Sequence, residues 1–291
     1  MKPSRRPLCT TSRRHWVAAL ACAGLMPTLA RAQSGLVVAA PLRVGLTPFL
    51  SPRTLLVSYE PLRLHLQTRM GRAIEFFSAR DFRAFLEFAR QPDQPITMMP
   101  VHLALMLVED AGFKLLARST LESPLALWAP PETLKALSAP GALAGRRIAI
   151  LDPHTLAALK LERWRAEQGL QATLSMRPYS NLGAAVLALR RGEVDAVLTP
   201  ETALRELSDA AGADLQRLVD LGAIPTPCWV AGPAAKADDA AAFRAALLSF
   251  QGAGDRSSTA RYVSAVPADF ARWRPYAAIA RERLRETPPA R

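Results

Sequence analysis

Short apolar runs alternate with segments of helical periodicity along most of the chain, separated by polar or glycine-bearing turns. The clearest unit covers residues 144–203. Arg146-Arg147-Ile148-Ala149-Ile150-Leu151 predicts a strand, Asp152-Pro153-His154-Thr155 breaks it, and Leu156, Leu159 and Trp164 then recur at helical spacing until Gly169. The alternating run 172–176 predicts a second strand. Tyr179-Ser180-Asn181 opens a second helix with Leu182, Val186 and Leu189 on one face, Gly192 closes it, and residues 195–199 predict a buried third strand. Each strand delivers its carboxyl end to a helix N-terminus, where unpaired amides and the helix dipole favour an anion. In open α/β sheets ligands sit at that edge, so the turns 152–155, 179–181 and 199–201 are expected to surround one crevice.

The same alternation runs through the rest of the chain. Residues 42–47 predict a first strand, followed by a loop and a helix with Leu55, Leu56, Tyr59, Leu62 and Leu66 on its buried face, ending at Met70-Gly71. A strand over 73–77 and a helix over 82–90 come next. Asp81 caps that helix, and Phe82, Phe85 and Phe88 read as core packing rather than an aromatic box. Residues 96–99 predict a strand ending at Pro100-Val101-His102, residues 103–111 a helix stopped by Gly112, and 113–117 another strand. Leu125-Ala126-Leu127-Trp128 begins the crossing into a second lobe, and the Pro-, Ala- and Ser-rich stretch 130–141 is the least regular. Residues 215–221 leave helix and strand both open. Ile224-Pro225-Thr226-Pro227 then reads as a return hinge, residues 228–231 as a strand rejoining the first sheet, and 238–250 as a helix burying Phe243, Leu247 and Leu248. Residues 251–258 are small and polar, and a last helix over 269–285 packs with Trp273, Tyr276 and Ile279. The expected fold class is α/β: two lobes, each an open, mixed or mostly parallel sheet flanked by helices, joined by crossover strands. The expected division is 33–124 for the first part of lobe one, 125–224 for lobe two, and 225–291 for the return to lobe one and the C-terminal helices. No repeat falls at a solenoid period.

Composition changes this picture mainly at the N-terminus. With 291 residues, half of them apolar and 21% charged, the chain has the balance of a soluble globular protein of two lobes. Residues 1–32 form a basic leader, an apolar run over 16–29 and the small-residue pattern Ala30-Arg31-Ala32, predicting an export signal cleaved before Gln33. Ser12-Arg13-Arg14-His15-Trp16-Val17 resembles a twin-arginine signal. Lipid anchoring at Cys22 is not expected, because Leu20 stands one place too late for a lipid-attachment box. The leader holds Lys2, Arg5, Arg6, Arg13, Arg14 and Arg31 and no acid, so the net charge falls from +12 to +6 on its removal. The remaining charge suits an anionic ligand; with no dense Lys/Arg tract, nucleic acid is not an expected partner. Only Cys228 remains, which excludes an internal disulfide and reads as a buried structural thiol. No other apolar run is long enough to span a bilayer.

Several stretches resemble a known family. They are Leu42-Arg43-Val44-Gly45-Leu46-Thr47-Pro48, Tyr59-Glu60-Pro61-Leu62 with Gly71, the strand-to-Pro100 turn, Gly145-Arg146-Arg147-Ile148-Ala149 with Asp152-Pro153, and Gly192-Glu193-Val194-Asp195-Ala196. Over about residues 42–250 the chain is similar to the phosphate, phosphite and phosphonate substrate-binding proteins of ABC importers, two-lobed periplasmic binding proteins of type II. The resemblance implies two α/β lobes with a ligand held between them and closure on binding. Members that bind phosphonates place hydroxyl residues at the first helix N-terminus of lobe two, where His154 and Thr155 stand. The family often uses a His on the next turn, where this chain has Ser180 and Asn181, and an acidic or hydroxyl group after the third strand, where Thr199 and Glu201 lie. A carboxylate at Glu201 would repel a phosphoryl dianion unless it accepted a protonated oxygen, which argues for a monoanionic ligand or a different one.

In lobe one, Thr47, Phe49, Ser51, Arg53 and Thr54 surround a strand end and a helix start, and the Arg53 guanidinium can hold an anion bidentately or stand solvated. Pro100 and His102 are further candidates, His102 as a pocket wall or a satisfied core residue. Asp152 reads first as a turn or cap residue, and Thr155 and Asn181 can equally be helix caps.

Catalytic machinery is not expected. After the leader the only histidines are His65, His102 and His154, none in a metal-ligand spacing, and there is no Gly-x-Ser-x-Gly, Walker loop or dinucleotide fingerprint. No metal or cofactor is expected either. The expected function is capture of a small oxyanion in the periplasm for an ABC permease of the inner membrane, with the export machinery as a transient partner. The same closure would serve a receptor feeding a membrane sensor kinase. The departures at Ser180 and Glu201 also fit an interaction module that has lost its ligand.

Overall fold

The computed structural model describes residues 40–91, 94–137, 140–207, 212, 214–252 and 261–286. The export signal expected over 1–32 and most of the small polar stretch 251–258 lie outside the described residues. Two mixed sheets flanked by helices make up the fold.

The first sheet begins with β1 (Leu42–Leu46), whose Val44 and Leu46 are fully buried. α1 (Pro52–Met70) follows, with Ser51 accepting the Thr54 amide as N-cap, Pro52 in the first turn, and Gly71 at φ 61° ending it in the left-handed region that favours glycine. Leu55, Tyr59, Leu62 and Leu66 form its buried stripe, whereas Leu56 is 39% exposed because the stripe's helical spacing leaves it on the outer side. β2 (Ile74–Ser78), α2 (Phe82–Ala89), β3 (Ile96–Met99), α3 (Val101–Ala111) and β4 (Lys114–Ser119) complete the first pass. Asp81 caps α2 by accepting the Ala84 amide at 2.8 Å, as its position predicts.

The chain then passes through Thr120 and Leu121 to the second sheet, built of β5 (Glu122–Ala129), β6 (Arg147–Ile150), β7 (Ser175–Pro178), β8 (Ala196–Pro200) and β9 (Gln216–Pro225). The intervening helices are α4 (Pro131–Leu137), α5 (Leu156–Glu167), α6 (Leu182–Arg190) and α7 (Glu201–Glu206). Three elements depart from the sequence reading. α4 occupies the stretch expected to be irregular: Pro131 opens it and Glu132 complements its dipole. β7 starts at Ser175, three residues late, because Leu170 through Leu174 form a turn in which the Thr173 and Leu174 amides bond the Leu170 carbonyl. β9, over which periodicity leaves helix and strand both open, is an edge strand paired to β5 on one side, so its polar outward positions blur the pattern.

The return runs through Thr226 and Pro227 to β10 (Cys228–Ala231), which rejoins the first sheet as expected, antiparallel between β3 and β4. α8 (Ala237–Leu248) buries Phe243 and Leu247 and leaves Leu248 at 36% exposure; β11 (Tyr262–Ser264) adds an edge strand. The expected last helix is a 3-10 stretch, Pro267–Trp273, followed by α9 (Arg274–Glu286), with Trp273 buried and Ile279 on the outer side. The strand orders are β11-β4-β10-β3-β1-β2 and β7-β6-β8-β5-β9. Within them β1 is parallel to β2 and β3, and β6 is parallel to β7 and β8. Trp229 of β10 sits at the centre of the first sheet against Phe76, Phe243 and Tyr262.

α9 fastens the halves from behind. Arg281 bonds Glu109 at 2.8 Å and Asp110 at 2.6 Å on α3, while Arg283 bonds Glu162 on α5 and the Pro153 carbonyl at 3.2 Å.

Candidate functional site

The turns after the parallel strands β1 and β3 of the first sheet and after β6 of the second start α1, α3 and α5. Between the lobes these turns enclose a cavity of about 110 Å³. Lobe one contributes Thr47 and Phe49 after β1, Tyr59 from α1, Phe82 from α2, and Pro100 and Val101 at the start of α3. Lobe two contributes Leu151, Thr155, Leu156 and Ala157 around the start of α5, with Pro200, Thr202 and Ala203 after β8. The floor is the hinge itself: Ser123 from the first crossing and Ile224 to Pro227 from the second.

The wall is apolar over most of its area, and its polar groups are backbone amides and hydroxyls. α3 starts at Pro100 with no side-chain cap, and its Val101 and His102 amides precede the first intrahelical bonds; α5 is capped by Thr155, which takes the Ala158 amide and leaves those of Leu156 and Ala157 ahead of the helical ladder. Thr47 donates its hydroxyl to the Met98 carbonyl at 2.7 Å, and Thr155 donates to the Asp152 carbonyl at 2.8 Å while accepting the Ala158 amide. Ser123 accepts the Thr202 amide at 3.0 Å.

Two further hydrogen bonds join the lobes beside the cavity. The Leu182 amide at the start of α6 donates to the Phe49 carbonyl at 3.1 Å. His102 Nε2 donates to the His154 carbonyl at 2.7 Å, and His154 is held in turn by Asp152, whose Oδ1 lies 2.7 Å from both its amide and its Nδ1. His102 is fully buried, and burial pushes its imidazole down to about 4, so it stands neutral with Nδ1 unpartnered among the described residues.

The residues singled out from sequence therefore fall into separate places. Thr47, Phe49, Pro100 and Thr155 line the cavity together. Ser51 and Thr54 bond one another at 2.8 Å within the α1 cap, and Arg53 is exposed on the first turn of α1, outside the cavity lining. His102 and His154 form the seam described above. Ser180 lies in a second pocket of about 290 Å³, bordered by Arg80, Asp81 and Asp152, and Asn181 caps α6 by accepting the Ala184 amide at 3.0 Å. Thr199 is buried, its hydroxyl 3.4 Å from the Pro200 carbonyl and its own carbonyl accepting Trp128 Nε1. Glu201 turns away to Arg205 and Arg217, the latter at 3.0 Å, so its charge is met locally.

Ser123, Thr202, Tyr59, Phe82 and the hinge prolines line the cavity without having been singled out as site residues. Tyr59 and Phe82 sit on apolar stripes that read as core. The one available signal for the floor was the hinge reading of Ile224-Pro225-Thr226-Pro227, since a hinge between two lobes must border the space between them. Cys228, next to that floor, is fully buried, and burial pushes its thiol up to about 12. Among the described residues no group of three or more His, Cys, Asp and Glu could hold a metal ion, and no helix is long and apolar enough to cross a membrane.

Residues 44–273 match the family described as the periplasmic phosphonate substrate-binding protein of ABC transporters. No curated protein matches the sequence. The fold is similar to PhnD1 of Prochlorococcus marinus, solved in complex with methylphosphonate, at 12% identity and a TM-score of 0.69, over 84% of this chain and 98% of that one. It is similar to the binding-protein component of an ABC phosphonate transporter from Pseudomonas aeruginosa at 13% identity and a TM-score of 0.68, over 83% and 86% of the two chains. A Xanthomonas citri protein solved with bound ATP shares the fold at 14% identity and a TM-score of 0.61, over 85% of this chain and 99% of that one.

Proposed function

We propose that this chain, which belongs to the periplasmic phosphonate substrate-binding proteins of ABC transporters, captures a small phosphonate-type oxyanion between its lobes and hands it to a membrane permease. The observation that carries this reading is the meeting of the α3 and α5 N-termini with the turn after β1 around one cavity between the two sheets. Helix N-termini present amides and a positive dipole end to an anion without a counter-charge. Phe49, Tyr59, Phe82 and Leu151 supply apolar surface beside them. A tetrahedral head with a small alkyl substituent, such as the methylphosphonate bound by the Prochlorococcus relative, combines the two kinds of surface.

The ligand is bound and released unchanged. Thr47 and Thr155 direct their hydroxyl protons to backbone carbonyls, and the Cys228 thiol is buried and protonated, which leaves them unsuited to nucleophilic attack. Residues 1–32 serve as the export signal that delivers the mature chain to the periplasm. Thermal unfolding of residues 33–291 with methylphosphonate, phosphite, phosphate, sulfonates and carboxylates tests the proposal. A binder present at a hundredfold excess over its Kd stabilises the fold by about 2.7 kcal/mol. Absence of a shift with every oxyanion would defeat it, and recovery of a chemically altered ligand would defeat the claim of unchanged release.

A further inference from the structure

We infer that the cleft selects its phosphonate in the singly ionised form that still carries a P–O–H group, and discriminates against the fully ionised dianion. This rests on the oxyanion reading above and adds the protonation state of the guest.

The first observation is charge. Among the described residues no Lys, Arg, His, Asp or Glu lines the cavity. The nearby charges are met elsewhere, Glu201 by Arg205 and Arg217, and Arg53 is exposed outside the lining. What remains positive is the pair of helix starts at α3 and α5, each equivalent to about half a charge; α7 also begins at the wall, but it is six residues long, carries Glu201 in its first turn and gives its Thr202 amide to Ser123. Their sum of about one unit matches a monoanion. A second negative charge would be buried with nothing to meet it, and the cost of taking an ion from water grows with the square of its charge.

The second observation is the direction of the hydroxyls. Thr47 lies 2.7 Å from the Met98 carbonyl, Thr155 2.8 Å from the Asp152 carbonyl, and Thr226 3.4 Å from the Leu121 carbonyl. A carbonyl has no proton to give, so each hydroxyl is the donor and keeps only lone pairs for a guest. Ser123 differs: it accepts the Thr202 amide and retains its proton. The cavity thus presents acceptors as well as donors. A dianionic phosphonate brings acceptors alone and would set its oxygens against those of Thr47 and Thr155. A P–O–H group supplies the missing donor.

Titratable groups around the wall are few. His102 lies behind Pro100 and Val101, His154 and Asp152 precede Thr155, Glu201 with Arg205 and Arg217 flanks Pro200, Cys228 follows Pro227, and the Tyr59 phenol lines the cavity. A ligand that cannot titrate separates their effect from that of the guest's own proton.

The test is calorimetric titration of residues 33–291 with methylphosphonate from about pH 5.5 to about pH 9.5, spanning the second ionisation of the phosphonate, which lies above the value of about 6 of a phosphate ester because carbon withdraws less electron density than ester oxygen. Methanesulfonate, of the same shape but singly charged throughout and without the O–H, is titrated in parallel. The expected result is a methylphosphonate Kd that rises about tenfold per pH unit above that ionisation, as the competent fraction of ligand falls. Methanesulfonate is expected to bind more weakly than methylphosphonate at the acid end, with a Kd that does not change with pH. A methylphosphonate affinity that is flat or strengthens with pH overturns the inference and leaves the oxyanion reading standing. Parallel loss of methanesulfonate binding also overturns it, since a protein group would then set the dependence. Binding of neither compound at any pH overturns the oxyanion reading and this inference with it.

Discussion

Replacing His102 with Gln isolates the contribution of one buried imidazole to the joining of the lobes. His102 is fully buried at the start of α3, where Nε2 donates to the His154 carbonyl of the other lobe at 2.7 Å. Burial pushes the imidazole from 6.5 down to about 4; the hydrogen bond to His154 pulls the other way, and the charge on His154 adds to the depression. Between those two values the unfolded chain binds more protons than the folded one, so stability rises with pH across the window and is lost as pH falls through it. Above about pH 6.5 the native state incurs no penalty, and by about pH 4 the full interval, about 3 kcal/mol, has been lost. Gln places a non-titrating amide donor where Nε2 stood. Urea unfolding of both proteins from about pH 7.5 to about pH 4 is therefore expected to show the wild type losing about 3 kcal/mol more than His102→Gln. Differences between the two curves cancel the carboxylates common to both. Parallel pH profiles would refute the reasoning, because they would mean that the imidazole is hydrated or protonated in the native state. His102→Leu, which leaves the His154 carbonyl unpaired, is expected to cost about 1–3 kcal/mol near pH 7 where Gln costs little.

Ser123→Ala removes the acceptor of the Thr202 amide and a proton that faces the cavity; it is expected to cost about 1 kcal/mol in unfolding free energy and to weaken methylphosphonate binding about tenfold. An unchanged Kd would take Ser123 out of the site. Arg53→Ala is expected to leave the methylphosphonate Kd within about twofold, as an exposed cation outside the lining contributes little; a loss of tenfold or more would place the guanidinium on the ligand. Gly232→Ala sets a Cβ 2.7 Å from the Gln94 carbonyl oxygen, a backbone atom that cannot swing aside, and should lower stability by about 1–3 kcal/mol in denaturant titration. At Asp195, burial works against ionisation but the Arg147 amide and guanidinium outweigh it and hold the carboxyl below its usual range. That contribution is present above the unfolded-state value and lost as pH falls below it, so Asp195→Asn should destabilise by about 1–3 kcal/mol near pH 7 and converge on wild type in acid.

Helical periodicity carried most of the fold. Leu55, Tyr59, Leu62 and Leu66 recur at the spacing of one face and are buried together, and Asp81 ahead of Phe82 signals a cap that the Ala84 amide completes. The failures have local causes. β9 borders the sheet, so only its inner positions must be apolar, and α4 rests on Pro131 and a single buried leucine, Leu137, rather than on a stripe. At the site, strand ends and helix starts pointed to Thr47, Pro100 and Thr155, which do line one cavity. Charge was the less legible part. The Glu201–Arg205 pair is readable as i,i+4 spacing, but Arg217 reaches Glu201 only through the pairing of β9 with β5 beside β8. Ser123 belongs to a crossing strand whose closeness to Thr202 is a property of the assembled sheet.

The two crossings have a mechanical consequence. Glu122 pairs with Pro225 and Ser123 with Ile224, and the Thr226 hydroxyl reaches the Leu121 carbonyl at 3.4 Å, so the two connecting legs run side by side as one ribbon. Pro225 and Pro227 fix φ on the second leg. A ribbon of this kind bends about a single line and resists sliding or torsion, because either would stretch one leg against the other. Phe82 and Leu151, one from each lobe, line both the inner cavity and the outer pocket, so a swing about that ribbon would part them. A guest held in that cavity would then come and go by one doorway, framed by a phenyl ring on one leaf and a leucine on the other.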